Sequence, residues 1–208
     1  MKRVFIIASL CVATMLTSCL ENSYQNNHNS NTTTTTTDDG KGGNGGSSDN
    51  KPAPTNEPEN SFRSNIGKFS INFANKPQGP IRTEETNKAG MVETFQYIDQ
   101  ISDAGMYVAM YKDYPVGVIT ASNTDAKLKL EAENFMKNFG SKVDKTVEER
   151  LNGNKGISFS GSLNDSIKIN MKSFFVGKRY YQFGTIATQA TISDKESKKF
   201  INSFALEN

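Results

Sequence analysis

The stretch from Leu20 to Ser61 cannot form a hydrophobic core, so it limits the fold to the part of the chain that follows it. Its composition is dominated by Asn, Thr, Gly, Ser and Pro, with consecutive threonines from Thr32 to Thr37. A segment of this kind buries too little apolar surface to offset the conformational entropy that is lost on folding. The sequence therefore predicts a disordered tether over residues 19–61 and one globular domain over residues 62–208.

The tether is long compared with the domain that it carries. About 40 flexible residues have a root-mean-square span of roughly 35 Å, whereas a domain of this size has a radius of gyration of about 15 Å. The threonine run is typical of a spacer, and O-glycosylation is the alternative interpretation. His28, the only histidine of the chain, is predicted to be a solvated tether residue, because one imidazole without fixed partners forms no site.

The N-terminus has the features of an export signal. Met1-Lys2-Arg3 gives a positively charged start, and the mainly apolar run from Val4 to Leu16 follows it. This run is shorter than the about 20 residues of a membrane-spanning helix, and it has the length of a secretory signal core. A small residue, Ser18, precedes Cys19, but the bulky Leu16 stands where an ordinary signal-peptidase site has a second small residue. The segment Leu16-Thr17-Ser18-Cys19 thus resembles the lipobox of bacterial lipoproteins.

That resemblance implies cleavage between Ser18 and Cys19, removal of residues 1–18 as a signal peptide, and lipidation of the Cys19 thiol. Two acyl chains, at about 0.8 kcal/mol per buried methylene, hold a protein stably on a membrane. The predicted location is therefore a bacterial membrane, with the outer membrane or the cell surface favoured. The alternative is a plain secreted protein in which a cysteine follows the cleavage site by chance.

Processing also changes the charge and the cysteine content. The chain has 24 basic and 22 acidic side chains, and loss of Lys2 and Arg3 would leave equal numbers of both. A balanced charge argues against a nucleic-acid partner. Because Cys11 lies in the signal and Cys19 would be alkylated, the mature chain would keep no thiol for a disulfide or a metal site.

The first half of the domain is predicted to be mostly strand. Apolar and polar residues alternate from Gly67 to Phe73, a weaker strand runs from Ile81 to Thr86, and another runs from Met91 to Ile98. The segment from Met106 to Lys112 is apolar on both faces, which predicts a strand in the middle of a sheet. A helical stripe from Asn123 to Phe139 follows and is closed by Gly140.

The second half contains three hairpin signals and a final helix. The turns are predicted at Asn152-Gly153, Asn164-Asp165 and Gly177-Lys178, of which the first suits a type I′ turn and the third a type II′ turn. Together they predict a four-stranded antiparallel meander. The segment from Ser193 to Glu196 has the sequence of a capping box and predicts the start of the last helix.

The faces of the meander are predicted to differ. Serines alternate with apolar residues on one strand, so that part of the sheet is expected to be open to water on the face of Ser158, Ser160 and Ser162. Farther on, the alternation is interrupted between Met171 and Phe174, which predicts a β-bulge. These patterns together predict an α+β fold with an antiparallel sheet of about seven to eight strands.

Four stretches carry a resemblance to a known family. They are the strand from Gly67 to Phe73 with Pro77 after it, the segment from Tyr107 to Pro115, the residues Arg179-Tyr180-Tyr181 after the Gly177 turn, and the segment from Phe200 to Phe204. On these residues the region resembles the PsbP/Mog1-like domains, which are widespread as bacterial lipoproteins of unassigned role. The resemblance implies helices packed on both faces of the sheet, in a three-layer α/β/α arrangement. The family includes a photosystem II extrinsic subunit and a Ran-binding protein, which both act by docking to partners.

The predicted domain lacks the residues that most enzymes use. It has neither histidine nor cysteine, which excludes catalytic triads, Cys–His pairs and the usual zinc sites. Nucleotide-binding glycine motifs and the nucleophile elbow are absent as well. We therefore predict no catalytic, cofactor-binding or metal-binding residue. The carboxylates that could still act as acids or bases are interpreted as turn formers or surface charges: Glu84, Glu85, Asp99, Asp103 and Asp113.

The tyrosines leave a second possibility open, because they could line a sugar or lipid site, although core packing explains them as well: Tyr97, Tyr107, Tyr111, Tyr180 and Tyr181. The resulting hypothesis is a lipid-anchored, non-enzymatic binding or scaffold module of the bacterial cell envelope with a protein partner. Its contact surface is expected at Ile157 to Leu163 or at the Tyr114-Pro115 loop. The alternatives are a carboxylate-based hydrolase acting on an envelope or extracellular polymer, and a carrier of a small lipophilic ligand.

Replacing Cys19 by alanine should abolish lipidation and cleavage at this site, because the thiol is the acceptor of the lipid. We expect the variant to move from the detergent phase to the aqueous phase or to persist as uncleaved precursor, and mass spectrometry of the N-terminus measures the difference. An unmodified Cys19 or Leu20 at the N-terminus of the wild-type protein would contradict the assignment.

Overall fold

The computed structural model describes residues 61–87 and 90–207. The predicted signal peptide, Ser18, Cys19 and the tether up to residue 60 lie outside these residues. The described residues form two helices and ten strands in the following order: β1 (Ser61–Ser64), β2 (Phe69–Asn72), β3 (Gln78–Asn87), β4 (Gly90–Ser102), β5 (Gly105–Asp113), α1 (Thr124–Asn138), β6 (Lys145–Leu151), β7 (Asn154–Leu163), β8 (Ile167–Val176), β9 (Arg179–Thr188), α2 (Asp194–Asn202) and β10 (Ala205–Leu206).

The strands form two antiparallel sheets. The main sheet has seven strands in the order β3-β4-β5-β9-β8-β7-β6, and a small sheet has the order β1-β2-β10. The prediction of a mainly antiparallel sheet with two helices is confirmed. The first predicted strand, however, belongs to the small sheet, and β1 and the two-residue β10 were not predicted. A strand as short as β10 has no periodicity that could reveal it.

The core consists of two clusters on opposite faces of β5. Met106, Val108 and Met110 join a cluster with the buried side of α1. Tyr107, Ala109 and Tyr111, which alternate with them, join a second cluster with α2 and the small sheet. Since β5 pairs with β4 and β9, the prediction of a central strand that is covered on both faces is confirmed. The three-layer α/β/α arrangement itself stays a prediction.

The hairpin turns have the backbone conformations that the sequence predicted. Asn152 and Gly153 both have positive φ, at +49° and +82°, as a type I′ turn requires. Gly177 has a φ of +58°, and it is the first central residue of the turn between β8 and β9. These turns fix the register of the meander.

The predicted bulge near Met171 is wrong. The pairing of β8 with β7 and with β9 continues without a register shift through this segment. The interruption arises because Ser173 is fully buried on the same face as Met171, whereas Phe174 is buried in the cluster on the other face. A buried polar residue on one face, followed by an apolar residue that is buried on the other face, produces the same sequence pattern as a bulge.

The capping box of α2 is confirmed. The Ser193 hydroxyl accepts a hydrogen bond from the Glu196 backbone N–H at 3.3 Å, and the Ser193 backbone N–H donates to the Glu196 carboxylate at 2.8 Å. The hydrogen bond from the Ser193 side chain is the main cause that lowers the pKa of Glu196 below its usual value. The start of α2 is thereby fixed beside the open part of the main sheet.

Replacing Ser193 by alanine should lower the free energy of unfolding by about 1 kcal/mol, because the first turn of α2 loses its cap. Denaturant unfolding at neutral pH measures the change, with Ser162→Ala as a control at an exposed hydroxyl that makes no hydrogen bond within the described residues. The cost should shrink as the pH falls through the lowered pKa of Glu196, since protonation removes the carboxylate from the box. Equal effects of both substitutions would contradict the capping role.

Candidate functional site

The carboxylates that the sequence singled out do not come together. Asp99 lies in β4 rather than in a loop, is almost fully buried, and accepts hydrogen bonds from the backbone N–H of Asn75 at 2.7 Å and from its side chain at 3.1 Å. Glu84 and Glu85 also lie in a strand, β3. Only Asp103 is in a turn, and it is exposed.

Asp113 has a structural partner of its own. Both of its carboxylate oxygens accept from the Arg179 guanidinium at 2.7 Å, and Arg179 also donates to the backbone carbonyl of Ile66. The hydrogen bonds to Asp113 raise the pKa of Arg179 above its usual value. This pair therefore fastens the end of β5 to β9 and to the loop that enters the small sheet.

The five tyrosines are core residues, which agrees with the core-packing explanation of the sequence pattern. All five are at most 6% exposed. The Tyr97 hydroxyl bonds with Ser64, and the Tyr181 hydroxyl donates to the carbonyl of Gly67. Burial is the main cause that raises the pKa of Tyr111 to about 12. These rings do not form an exposed surface for a sugar or a lipid.

The Tyr114-Pro115 loop was one of the two expected contact surfaces. Tyr114 is buried, and its hydroxyl donates to the Glu131 carboxylate of α1 at 2.5 Å. Val116, farther along this loop, is 89% exposed. Tyr114 therefore anchors the loop to the domain and is not available to a partner.

The other expected contact surface lies on β7, from Ile157 to Leu163, and the face of this strand that was predicted to be open to water is open in the structure. Ser162 is exposed and Ser158 and Ser160 are half-buried, as the alternation of β7 predicted. Because strand neighbours share a face, the paired residues of β6 and β8 lie beside these serines. The resulting surface, which we call the basic face, consists of three lysines, three serines, one valine and one asparagine: Lys145, Val147, Ser158, Ser160, Ser162, Lys168, Asn170 and Lys172.

Helix α2 turns one side of the basic face into a groove. The groove has a volume of about 590 Å³, and α2 lines it with Asp194, Ser197, Lys198, Ile201 and Asn202. This volume is within the range of about 300–1,000 Å³ that small-ligand sites occupy. Val147, which is 45% exposed, and Ile201 add apolar surface to it.

The groove has an excess of positive charge. Lys168 is 3.7 Å from Asp194, and Lys172 is 3.4 Å from Glu149, at the border of the groove. Lys145 and Lys198 have no ion-pair partner among residues 61–87 and 90–207. Four lysines thus face one lining carboxylate, in a chain whose basic and acidic residues are nearly equal in number. The electrostatics favour an anionic partner.

The sequence predicted the serines of this surface but not its lysines. Lys168, Asn170 and Lys172 alternate along β8, and this polar alternation was a signal for the same open face. Lys145 and Lys198 line the same groove because β6 pairs with β7 and because α2 packs on the sheet. Both are contacts between distant parts of the chain. No sequence pattern brings these two residues together.

Two other features are absent from the part of the chain that the structure describes. No group of three His, Cys, Asp or Glu side chains there could hold a metal ion. No helix among these residues is long and apolar enough to cross a membrane.

Comparisons with known proteins give a distant likeness in fold. No protein-family model matches the chain, and no curated protein matches its sequence. Among solved structures, the chain is similar to cyanobacterial PsbP (CyanoP) from Synechocystis sp. PCC 6803, whose structure was determined in solution. The identity is 9%, the TM-score is 0.47, and the alignment covers 70% of this chain and 91% of that chain. A likeness at this level says nothing of function, and membership of the PsbP/Mog1-like family stays a prediction.

Replacing Asp113 by alanine should lower the free energy of unfolding by about 2 kcal/mol, because the partly buried Arg179 guanidinium loses two charge-assisted hydrogen bonds. Asp103→Ala is the matched control: its carboxylate is exposed and makes no hydrogen bond within the described residues, so its effect should stay within about 0.5 kcal/mol. Thermal and denaturant unfolding measure both. Equal stability of the two variants would show that Asp113 is free for another role.

Proposed function

We propose that the protein is a lipid-anchored, non-enzymatic binding module of the bacterial cell envelope, and that its groove holds an acidic segment of an envelope protein. The observation that carries this proposal is the basic face, an uncovered and lysine-rich part of the main sheet that α2 shapes into a groove. An antiparallel sheet can leave one face to water. The excess of lysines and the concave shape are what distinguish this surface from an ordinary solvated face.

The chemistry of the groove favours a protein segment over a phosphate polymer. A helix N-terminus is a favourable phosphate site, because its backbone N–H groups and dipole point at the anion. At the start of α2 these positions carry Asp194 and the capping carboxylate of Glu196, which repel phosphate. Val147 and Ile201 offer apolar contacts that a mixed acidic and apolar peptide would use.

The predicted anchor and tether agree with a binding role. A membrane anchor concentrates a binding domain with partners in the same membrane, whereas an enzyme with a freely diffusing substrate gains little from it. The hydrogen bonds from Asn75 to Asp99 and from Arg179 to Asp113 give these carboxylates structural roles. The hydrolase and the lipophilic carrier remain alternatives that the sequence left open.

We further propose that the helices and the main sheet form the three layers that the PsbP/Mog1-like resemblance implies. The membership of the two core clusters supports this arrangement, because α1 contributes Leu128 and Phe135 to one cluster and α2 contributes Phe200 to the other. In that arrangement the basic face is the part of the main sheet that α2 borders but leaves uncovered.

A photo-crosslinking residue at Ser160 should capture an envelope protein in intact cells, and peptide mapping should place the crosslink in an acidic segment. The same residue at Lys137, exposed on α1 away from the groove, is the control. The double variant Lys145→Gln, Lys198→Gln should weaken binding of the mapped peptide about tenfold, because two attractive interactions between lysines and acidic side chains are lost. Lys129→Gln with Lys137→Gln removes the same charge from α1 and should leave binding unchanged.

Two results would contradict the proposal. One is equal capture from Ser160 and Lys137, which would mean that the groove is not the contact surface. The other is binding that does not respond to the Lys145 and Lys198 substitutions or to added salt, which should screen these exposed charges.

A further inference from the structure

A second cavity lies under α1, on the face of the main sheet opposite the groove. It has a volume of about 110 Å³, and its walls come from α1 and from strands β3, β4, β5 and β9. The polar side chains that line it belong to the sheet and to the helix: Thr83, Glu84, Glu85, Thr94, Gln96, Lys112, Glu131, Asn134, Asn138 and Gln182. We call it the Gln182 cavity.

Gln182 has an incomplete set of hydrogen bonds. The residue is 1% exposed, and its side-chain oxygen accepts from the Tyr180 hydroxyl at 2.6 Å. Its Nε2 has no hydrogen-bond partner in the described part of the chain. A buried donor without a partner is costly, and buried polar groups in folded proteins are nearly always paired. Gln182 therefore presents a donor that an acceptor from outside the chain would satisfy.

The buried and half-buried charged groups that line the cavity, Glu131 and Lys112, neutralise each other. Glu131 is nine-tenths buried, and its oxygens accept from the Lys112 ammonium at 2.5 Å and from the Tyr114 hydroxyl at 2.5 Å. Burial, followed by the nearby Glu131, raises the pKa of Tyr114, so this hydroxyl keeps its proton. The buried part of the wall thus has fixed donors and acceptors whose charges are paired, and two exposed carboxylates, Glu84 and Glu85, line the cavity as well. This set favours a neutral ligand with hydroxyl donors over an anion.

Hydroxyl groups match such a wall best, because each can donate and accept at the same time. The amides of Gln182 and Asn134 can donate a hydrogen bond to a hydroxyl or accept one from it, and the carboxylate of Glu131 can accept one. Phe135, which also lines the cavity, offers an apolar wall to the C–H groups of a ring. The volume is several times the roughly 10–15 Å³ that one water needs, and smaller than a drug-sized pocket of about 300 Å³.

We propose that the Gln182 cavity binds a neutral saccharide, one sugar ring whose innermost hydroxyl oxygen accepts from Gln182 Nε2. This is a binding site separate from the groove of the proposed function, and it needs no other partner. The same chemistry is offered by a free monosaccharide and by the end of a glycan, so both sources are included in the test.

The test uses the full chain, purified in mild detergent, and saturation-transfer NMR with a panel of probes. The panel contains glucose, galactose and N-acetylglucosamine, together with their methyl glycosides. We expect saturable binding of at least one sugar with a Kd of about 1 mM, which is reasonable for a ligand of this size. Binding of the methyl glycoside as well would identify a glycan end as the source, and its loss would identify a free sugar.

Gln182→Met keeps the length of the side chain but removes the donor, and it should weaken binding at least about tenfold. Gln100→Met, the same change at an exposed position of β4, should have no effect. Asn138→Ala, at the exposed rim of the cavity, should weaken binding severalfold with the fold intact, whereas Lys137→Ala beside it should not. This second pair keeps the test decisive if Gln182→Met fails to fold.

The proposal is overturned by either of two results. The first is the absence of saturable binding for every probe in the panel, which would mean that no sugar binds to Gln182. The second is binding that neither Gln182→Met nor Asn138→Ala weakens, which would place the sugar elsewhere on the molecule.

Discussion

Strand β5 must be covered on both faces, and the rest of the structure depends on this requirement. Its residues from Met106 to Tyr111 are all buried, in two clusters that lie on opposite sides of the sheet. At about 25 cal/mol per Å² of apolar surface, leaving either side in water would cost several kcal/mol. Helix α1 covers one side. The other side is covered by α2 together with the small sheet, whose strand β10 joins the chain terminus to β2.

This second cover is too small for a sheet of seven strands. Helix α2 has nine residues, so it is about 14 Å long at 1.5 Å per residue, and it packs mainly on β9. The outer strands β6 and β7 and part of β8 extend beyond it, and the basic face that they form there consists of Lys, Ser and Asn side chains with one Val. The polar alternation of these strands is therefore the direct consequence of where the apolar cover ends. The same short helix forms the wall that makes the exposed part concave.

The sequence predicted the features that depend on neighbouring residues. The turn at Asn152-Gly153, the capping box at Ser193 and the two-sided apolar strand β5 were all predicted correctly, because each is set by local chemistry. The small sheet was missed since it joins Ser61 to Asn72 and Ala205 to Ser70, pairings that no local pattern encodes. Asp99 was interpreted as a turn former or a surface charge, yet it is buried in β4 because its partner Asn75 comes from a different segment of the chain.

Of the two candidate sites, the serine side of the groove could be predicted, but Gln182 could not. Gln182 is one polar residue in the apolar run of β9, and nothing in its sequence context separates a structural glutamine from a ligand-binding one. The sites also lie on opposite faces of the main sheet: Lys172 and Ser173 are consecutive in β8, and only Ser173 pairs with Gln182. Because side chains alternate across a sheet, substitutions in the groove leave the cavity wall in place. The two sites can therefore be tested independently in one and the same chain.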